Sequence, residues 1–309
     1  MQTAEIEAAL GLDIGGHGVK AARVGRDGEV LEQRVAPIAN ADGRAIEAVE
    51  ALVAELAAGL DPSGRLPVGV GVPGFHDRRT GLLRQSPNFA GWEDQPVAER
   101  LESLLDRPVR TENDANCALL GEAWTGAAKG ARDVVMLTLG TGVGSGFLVD
   151  GRLLTGARGA GAEAGHITIH RGGRLCGCGR RGCLEAYASG PALLVTAREE
   201  GGEAPSASPV FAASRAGEPW AQATVERYCS DLADGLAQLI HVFSPEAVVL
   251  GGGVSGGFDT FAPRVEVLLG ERAIPACLAG VLPLRRASLG SIAGAVGAAS
   301  LFLRPMEGR

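Results

Sequence analysis

The sequence has almost no lysine, no cluster of basic residues and no run of 18 apolar residues. Without such a run a membrane-spanning helix is not expected. Lys20 and Lys129 are the only lysines, and the remaining basic residues are arginine, a skew assigned to codon usage rather than to mechanism. Acidic residues total 36 against 29 basic ones, giving a formal net charge of −7. A net-acidic chain with no basic run is a poor non-specific binder of nucleic acid. Met1 to Leu10 carries Glu5 and Glu7 and no basic segment ahead of an apolar one, so no secretory signal is expected. The expected setting is the cytoplasm, with neither a membrane nor nucleic acid as partner.

What is present is ordinary for a globular enzyme: 309 residues, 46% apolar and 21% charged. At ~150 residues per domain this length suggests about two domains. Glycine, at 47 residues, is about twice as frequent as usual and falls at the ends of apolar runs, where sharp turns are needed. Ala9 to Ile14 ends in Gly15-Gly16 and is followed by Val19 to Val24, Asp27-Gly28, then Val30 and Leu31. The pattern reads as strand, glycine turn, strand, Asp-Gly hairpin, strand. It recurs about 125 residues later. Val134 to Leu139 ends in Gly140-Thr141-Gly142, and Gly146 to Val149 leads to Asp150-Gly151, Leu153 and Leu154. Two copies of one unit predict a duplicated domain. Further elements are a helix over 46–60, strands over 67–72 and 109–111, and a helix over 115–124. A Cys-rich loop (171–183), a helix over 220–243, a strand over 247–250 running into Gly251-Gly252-Gly253, and a last helix over 292–303 complete the reading.

Several motifs carry chemistry. Asp13 at the end of a buried strand, beside a turn whose glycines let phosphate approach the backbone N–H groups, could hold Mg²⁺ directly or through water. The plainer reading is a hairpin with a turn-capping Asp. The stretch from Gly140 to Gly146 is a second candidate phosphate turn. It is not the dinucleotide fingerprint, because Ser145 stands where that pattern needs glycine. Asn113-Asp114, between a strand and a helix, reads either as an N-cap or as a general base for a hydroxyl nucleophile. His166 with Cys176, Cys178 and Cys183 forms a Cys₃His set suited to closed, structural tetrahedral Zn²⁺. Glu163 and Glu185 flank that set and read as acceptors of hydrogen bonds from a polyol or as solvated surface charge. Cys117, Cys229 and Cys277 are expected in the core, and His76, His170 and His241 have no evident partner.

Together these pieces resemble the ROK family (repressors, open reading frames, kinases) over nearly the whole chain. Asp13-Ile14-Gly15-Gly16 is similar to its first phosphate motif and Leu139 to Gly144 to its second. Val249 to Gly253 resembles the segment near adenosine, and Glu112 to Asn116 the stretch that carries the catalytic Asp. Glu163 to His166 is similar to the sugar and zinc motif, and Cys176 to Glu185 to the zinc signature. The resemblance implies an α/β fold of actin/hexokinase type (ribonuclease H-like), a duplicated two-domain ATPase with a central cleft that closes on sugar. The expected domains are 1–115 plus 291–309, and 116–290. It further implies transfer of phosphoryl from ATP–Mg²⁺ to the C6 hydroxyl of glucose. N-acetylmannosamine, N-acetylglucosamine or fructose are alternative acceptors. By the same resemblance Asp114 is the base, and Gly74, Asn113, Asp114, Glu163, His166 and Glu185 line the sugar. Asp13, Gly15, Gly16, His17, Gly140, Thr141, Gly142, Gly252 and Gly253 meet the nucleotide. A homodimer is expected. Some members are repressors with an N-terminal helix-turn-helix. With the first strand beginning near residue 9, none is expected here. The family usually has Thr where this chain has His17, and that departure motivates a different class of protein, a sugar sensor with weak turnover.

Overall fold

The first apolar run forms strand β1 (Ala8–Gly15), and Gly16-His17 turns the chain at once into β2 (Gly18–Gly25), followed by β3 (Val30–Pro37). The computed structural model describes residues 6–38, 45–77, 79–86, 89 and 91–304. They divide between two units, one holding the chain up to 130 with 152–161 and the residues from 288 on, the other holding 131–151 and 162–287.

In the first unit, β1 pairs antiparallel with β2 and parallel with β4 (Val68–Val72), which pairs parallel with β7 (Val109–Asn113), giving the sheet order β3-β2-β1-β4-β7. A short hairpin, β5 (Phe75–Asp77) and β6 (Leu82–Gln85), follows β4. Alternate side chains of β1 face opposite ways. Leu10, Leu12 and Ile14 enter a core with Val49, Val53 and Leu56 of helix α1 (Ile46–Leu60), together with Val97 and Leu101 of α2 (Val97–Leu105). Ala9 faces the other layer, built on Ala295, Val296 and Ala299 of the last helix, α10 (Ala293–Leu303), and on Trp124 of α3 (Asp114–Trp124).

That second layer is packed backbone against backbone. A Cβ on Gly11 of β1 would stand 1.8 Å from the Ala295 carbonyl oxygen, and one on Gly69 of β4 would stand 1.8 Å from that of Ala298. On the opposite side of α10, a Cβ on Gly297 would stand 1.7 Å from the Cys117 carbonyl, and one on Gly121 of α3 would stand 2.3 Å from that of Ala293. α10 therefore lies between the sheet and α3 at a distance that only hydrogen-bearing Cα atoms permit.

The second unit repeats the opening. β8 (Val134–Leu139) pairs antiparallel with β9 (Val143–Val149) and parallel with β11 (Ala247–Gly251), which pairs parallel with β12 (Arg285–Arg286). β9 starts at Val143 rather than Gly146, because Gly144 and Gly146 are held in the ladder opposite Thr138 and Met136. β10, the short strand that follows β9 in the chain, is only Arg152–Leu153 and falls in the segment grouped with the first unit. Helices α4 (Glu185–Ala188), α5 (Gly190–Glu199), α6 (Ala207–Arg215), α7 (Pro219–Phe243), α8 (Phe258–Arg272) and α9 (Pro275–Leu278) complete the unit. Among the described residues, no helix is long and apolar enough to cross a membrane.

Helix propensity favours Ala over Gly by about 1 kcal/mol, while forcing a methyl into a closed contact costs about 1–3 kcal/mol or more. At Gly297 the opposing atom is a backbone carbonyl that cannot rotate away. Gly297→Ala is therefore expected to lower the unfolding free energy by about 2 kcal/mol, read as a lower denaturant midpoint at unchanged m-value. A neutral or stabilising result would contradict the packing described.

Candidate functional site

Parallel pairing brings distant segments to one edge of each sheet. In the first unit Asp13 of β1 lies opposite Gly71 of β4, Gly71 opposite Glu112 of β7, and Val72 opposite Asn113. The C-terminal ends of the three strands therefore present Asp13, Gly15 and Gly16, then Gly74, then Asn113 and Asp114, at the edge where open α/β sheets bind ligands.

Each is held for a reason. The Asp13 side chain is largely buried, with Lys20 Nζ at 3.6 Å. Burial raises its pKa above the ordinary carboxylate value, and the Lys20 charge works against that rise. The carboxyl group fits against the first turn of α10 because residue 294 is glycine, where a Cβ would lie 2.5 Å from Asp13 Cγ. Gly16 and His17 form the two-residue turn itself, with His17 exposed and its carbonyl accepting from Ile38 N. Gly74 has φ +131°, and a Cβ there would meet the Gln85 carbonyl at 2.2 Å.

Geometry identifies the helix cap at 113–114. Asn113 is the N-cap of α3: its Oδ1 accepts from Ala115 N (2.9 Å) and Asn116 N (3.1 Å). Its Nδ2 donates to the Gly74 carbonyl at 3.2 Å, which leaves one amide proton for any ligand. Asp114 is the first helical residue and not the cap. Beneath it, buried Glu112 accepts through Oε1 from Asn113 N and Asn116 Nδ2, locking the turn.

In the second unit Gly251 lies opposite Thr138, so Gly140-Thr141-Gly142 and Gly252-Gly253 share one edge. Gly252 has φ +81°, and a Cβ on it would stand 2.4 Å from the Leu139 carbonyl. Glu185, at the start of α4, reaches the turn: Val143 N donates to its Oε2 at 3.0 Å, and a Cβ on Gly142 would sit 2.5 Å from that same oxygen. Its Oε1 accepts from Cys176 Sγ at 3.3 Å. Glu163 is exposed in the turn that leads to His166. Partial desolvation of its carboxyl raises its pKa, the Glu185 charge adds to the rise, and His166 opposes it.

His166, Cys176, Cys178 and Cys183 converge, with all four donor atoms within 4.8 Å of one another. Cys176 Sγ to His166 Nδ1 and Cys178 Sγ to Cys183 Sγ are both 3.7 Å. A tetrahedron with Zn–S of about 2.3 Å and Zn–N of about 2.0 Å has edges of about 3.6–3.8 Å, so the residues fit the metal that the sequence pointed to. Burial pushes the Cys176 thiol up to about 12 and raises that of Cys183, whereas a backbone N–H from Arg180 lowers that of Cys178. Buried thiols of this kind ionise against a metal.

The histidines without a sequence-level partner all have one. His170 Nε2 meets Asp231 Oδ1 at 2.6 Å, His76 Nε2 meets the Val72 carbonyl at 3.2 Å, and His241 Nε2 accepts from Ile274 N at 2.9 Å. Cys117 and Cys229 are buried as expected, but Cys277 is only half-buried.

A sequence model of the ROK family matches residues 9–304. The glucokinase of Thermotoga maritima is 36% identical over 97% of this chain and 98% of its own. The ROK family glucokinase of Streptomyces griseus, solved in complex with glucose and AMPPNP, superposes with a TM-score of 0.80 at 32% identity, covering 96% of this chain and 99% of that one. The N-acetyl-D-glucosamine kinase of Pasteurella multocida is 36% identical over 76% of this chain and 80% of its own.

Since Asn113 is the cap, Asn113→Ala is expected to cost about 1–2 kcal/mol of stability through orphaned helix amides. Asp114→Asn, which leaves the cap in place, is expected to cost less than Asn113→Ala. Thermal unfolding of both variants checks this. A larger loss for Asp114→Asn would reassign the structural role.

Proposed function

The chain belongs to the ROK family, and on that premise we propose that it is an ATP-dependent hexose kinase that phosphorylates glucose at the C6 hydroxyl. The observation that carries this reading is similarity over nearly the full length to a ROK glucokinase solved with glucose and AMPPNP. The acidic, metal-ligating chain, with its free thiols, works in the cytoplasm as a homodimer.

The residues have separate parts in the reaction. Asp114 accepts the proton of the attacking hydroxyl. Gly74, Asn113, Glu163, His166 and Glu185 meet sugar hydroxyls, with Asn113 offering its remaining amide proton. His166 would hold zinc through Nδ1, which would leave its Nε2–H to donate to a sugar hydroxyl. The backbone N–H groups of Gly15, Gly16, His17 and Gly140 to Gly142 cradle phosphate, and Gly252-Gly253 lets adenosine approach the backbone. Asp13 supplies the hard oxygen that Mg²⁺ takes. Mg²⁺, when bound, neutralises charge on the transferred phosphoryl. His166, Cys176, Cys178 and Cys183 would hold Zn²⁺ with four protein donors, a closed set that would order the loop rather than supply a reactive water. N-acetylglucosamine is the second acceptor to consider, favoured by the likeness to the Pasteurella multocida kinase.

A coupled ADP-release assay across glucose, mannose, fructose, N-acetylglucosamine and N-acetylmannosamine tests the reading. Glucose is expected to give the highest kcat/KM. Sugar-dependent melting shifts without turnover would mark a sensor instead. Asp114→Asn should lower kcat by at least ~10²-fold, and near-normal turnover would remove Asp114 from the chemistry. Cys178→Ser should lower both the zinc content, measured by elemental analysis, and glucose affinity, because one loop carries both sets of contacts. Full glucose affinity in zinc-free protein would separate the two.

A further inference from the structure

Ser145 interrupts a glycine-rich stretch and points from β9 at the turn that carries Glu163. Its hydroxyl donates to the carbonyl of Ala162 and accepts from Ala164 N at 2.9 Å, so it grips the residues on both sides of Glu163. Ala162 has φ +68°, a left-handed conformation that costs an L-residue about 1–2 kcal/mol and persists only where neighbours hold it. The same strand fixes the next turn residue as well. A Cβ on Gly165 would stand 2.2 Å from the Val143 carbonyl, so the turn lies directly on β9. His166 N, donating to the Glu163 carbonyl at 3.0 Å, closes the turn. The Glu163 side chain is exposed, and the backbone beneath it sets where the side chain starts.

We propose that Ser145 is the positioning residue for Glu163, holding its backbone in the strained turn that presents the carboxylate to the sugar. A glycine or alanine at 145 would leave the Ala162 carbonyl and the Ala164 amide without this partner, and the strain at Ala162 would relax by rotating the peptide planes that carry Glu163. The proposal rests on the reading of Glu163 as a sugar contact, and its test separates the two.

Glucose affinity is measured by calorimetry and by KM on the zinc-loaded enzyme, for Ser145→Ala, Ser145→Thr, Glu163→Gln and the Ser145→Ala/Glu163→Gln double variant. Ser145→Ala is expected to weaken glucose binding about tenfold, the lower end of what a hydrogen bond to a charged group contributes. The ATP KM and the zinc content should not change. Ser145→Thr, which keeps the hydroxyl, should restore glucose binding. In the Glu163→Gln background Ser145→Ala should add nothing. Equal weakening by Ser145→Ala in both backgrounds, or unchanged glucose affinity in Ser145→Ala while Glu163→Gln is weakened, overturns the positioning role and leaves Glu163 as a sugar contact. Unchanged affinity in Glu163→Gln removes Glu163 from the sugar site and the proposal with it. Should Ser145→Ala fail to fold, Ser145→Cys, nearly isosteric but a much weaker hydrogen-bonding group, is read by the same criteria.

Discussion

The first unit depends on the closeness of α10 to its neighbours. Gly11, Gly69, Gly121 and Gly297 remove the side chains that would otherwise hold the helix off the sheet and off α3. This approach sets the depth at which α10 lies, and Gly294 at its first turn then leaves space for the Asp13 carboxyl. Burial there works against ionisation, and Lys20 offsets it only in part. The sign follows. A carboxyl whose folded pKa is raised favours the fold while protonated, and that contribution is lost as pH rises from the ordinary value of 3.8 through the folded one. Ionising Asp13 is therefore a cost to stability. Such a cost suits a carboxylate kept to meet a cation, as in the proposed reaction.

Duplication gave the two units the same start and different ends. Both run strand, turn, antiparallel strand, then two parallel strands, and in both the polar and glycine-rich residues collect at the C-terminal ends of the parallel strands. In the first unit that edge carries acids: Asp13 and Asp114. In the second it carries glycine: Gly140, Gly142, Gly252 and Gly253. The two edges share a topology and differ in the residues that follow each strand, with Asp13 and Asp114 standing beside glycines in the first unit.

What was legible in the sequence was local. Strands ending in glycine turns and the α1 apolar face carry their own periodicity, and the metal quartet was readable because three of its four ligands lie within one loop. The start of β9 was misjudged because Gly144 and Gly146 look like turn residues, and only pairing with β8 makes them strand. α8 was missed because Pro263 interrupts its pattern, and α5 because it opens on Gly190-Pro191. At 113–114 the sequence offered a cap and a base without saying which was which, since Asn and Asp both suit either neighbour of a helix start. The contact between Gly294 and Asp13, and that of His170 with Asp231, join residues too far apart in the chain for spacing to reveal them.

β9 ties together features that the sequence presented as separate motifs. Val143 donates its N–H to Glu185, two residues beyond Cys183, and its carbonyl packs against Gly165, one residue before His166. Ser145, on the same strand, grips the residues flanking Glu163. The glycine turn, Gly140 to Gly142, ends immediately before Val143. Side chains and ladder groups alternate along a strand, so a slip of one residue in the β8–β9 register would break all of these contacts together. The register itself is held by the buried apolar residues Val135, Leu137, Phe147 and Leu148. The placement of the polar groups in the second unit is thereby set by the hydrophobic pairing of two strands, in whose ladder Gly144 and Gly146 are ordinary members.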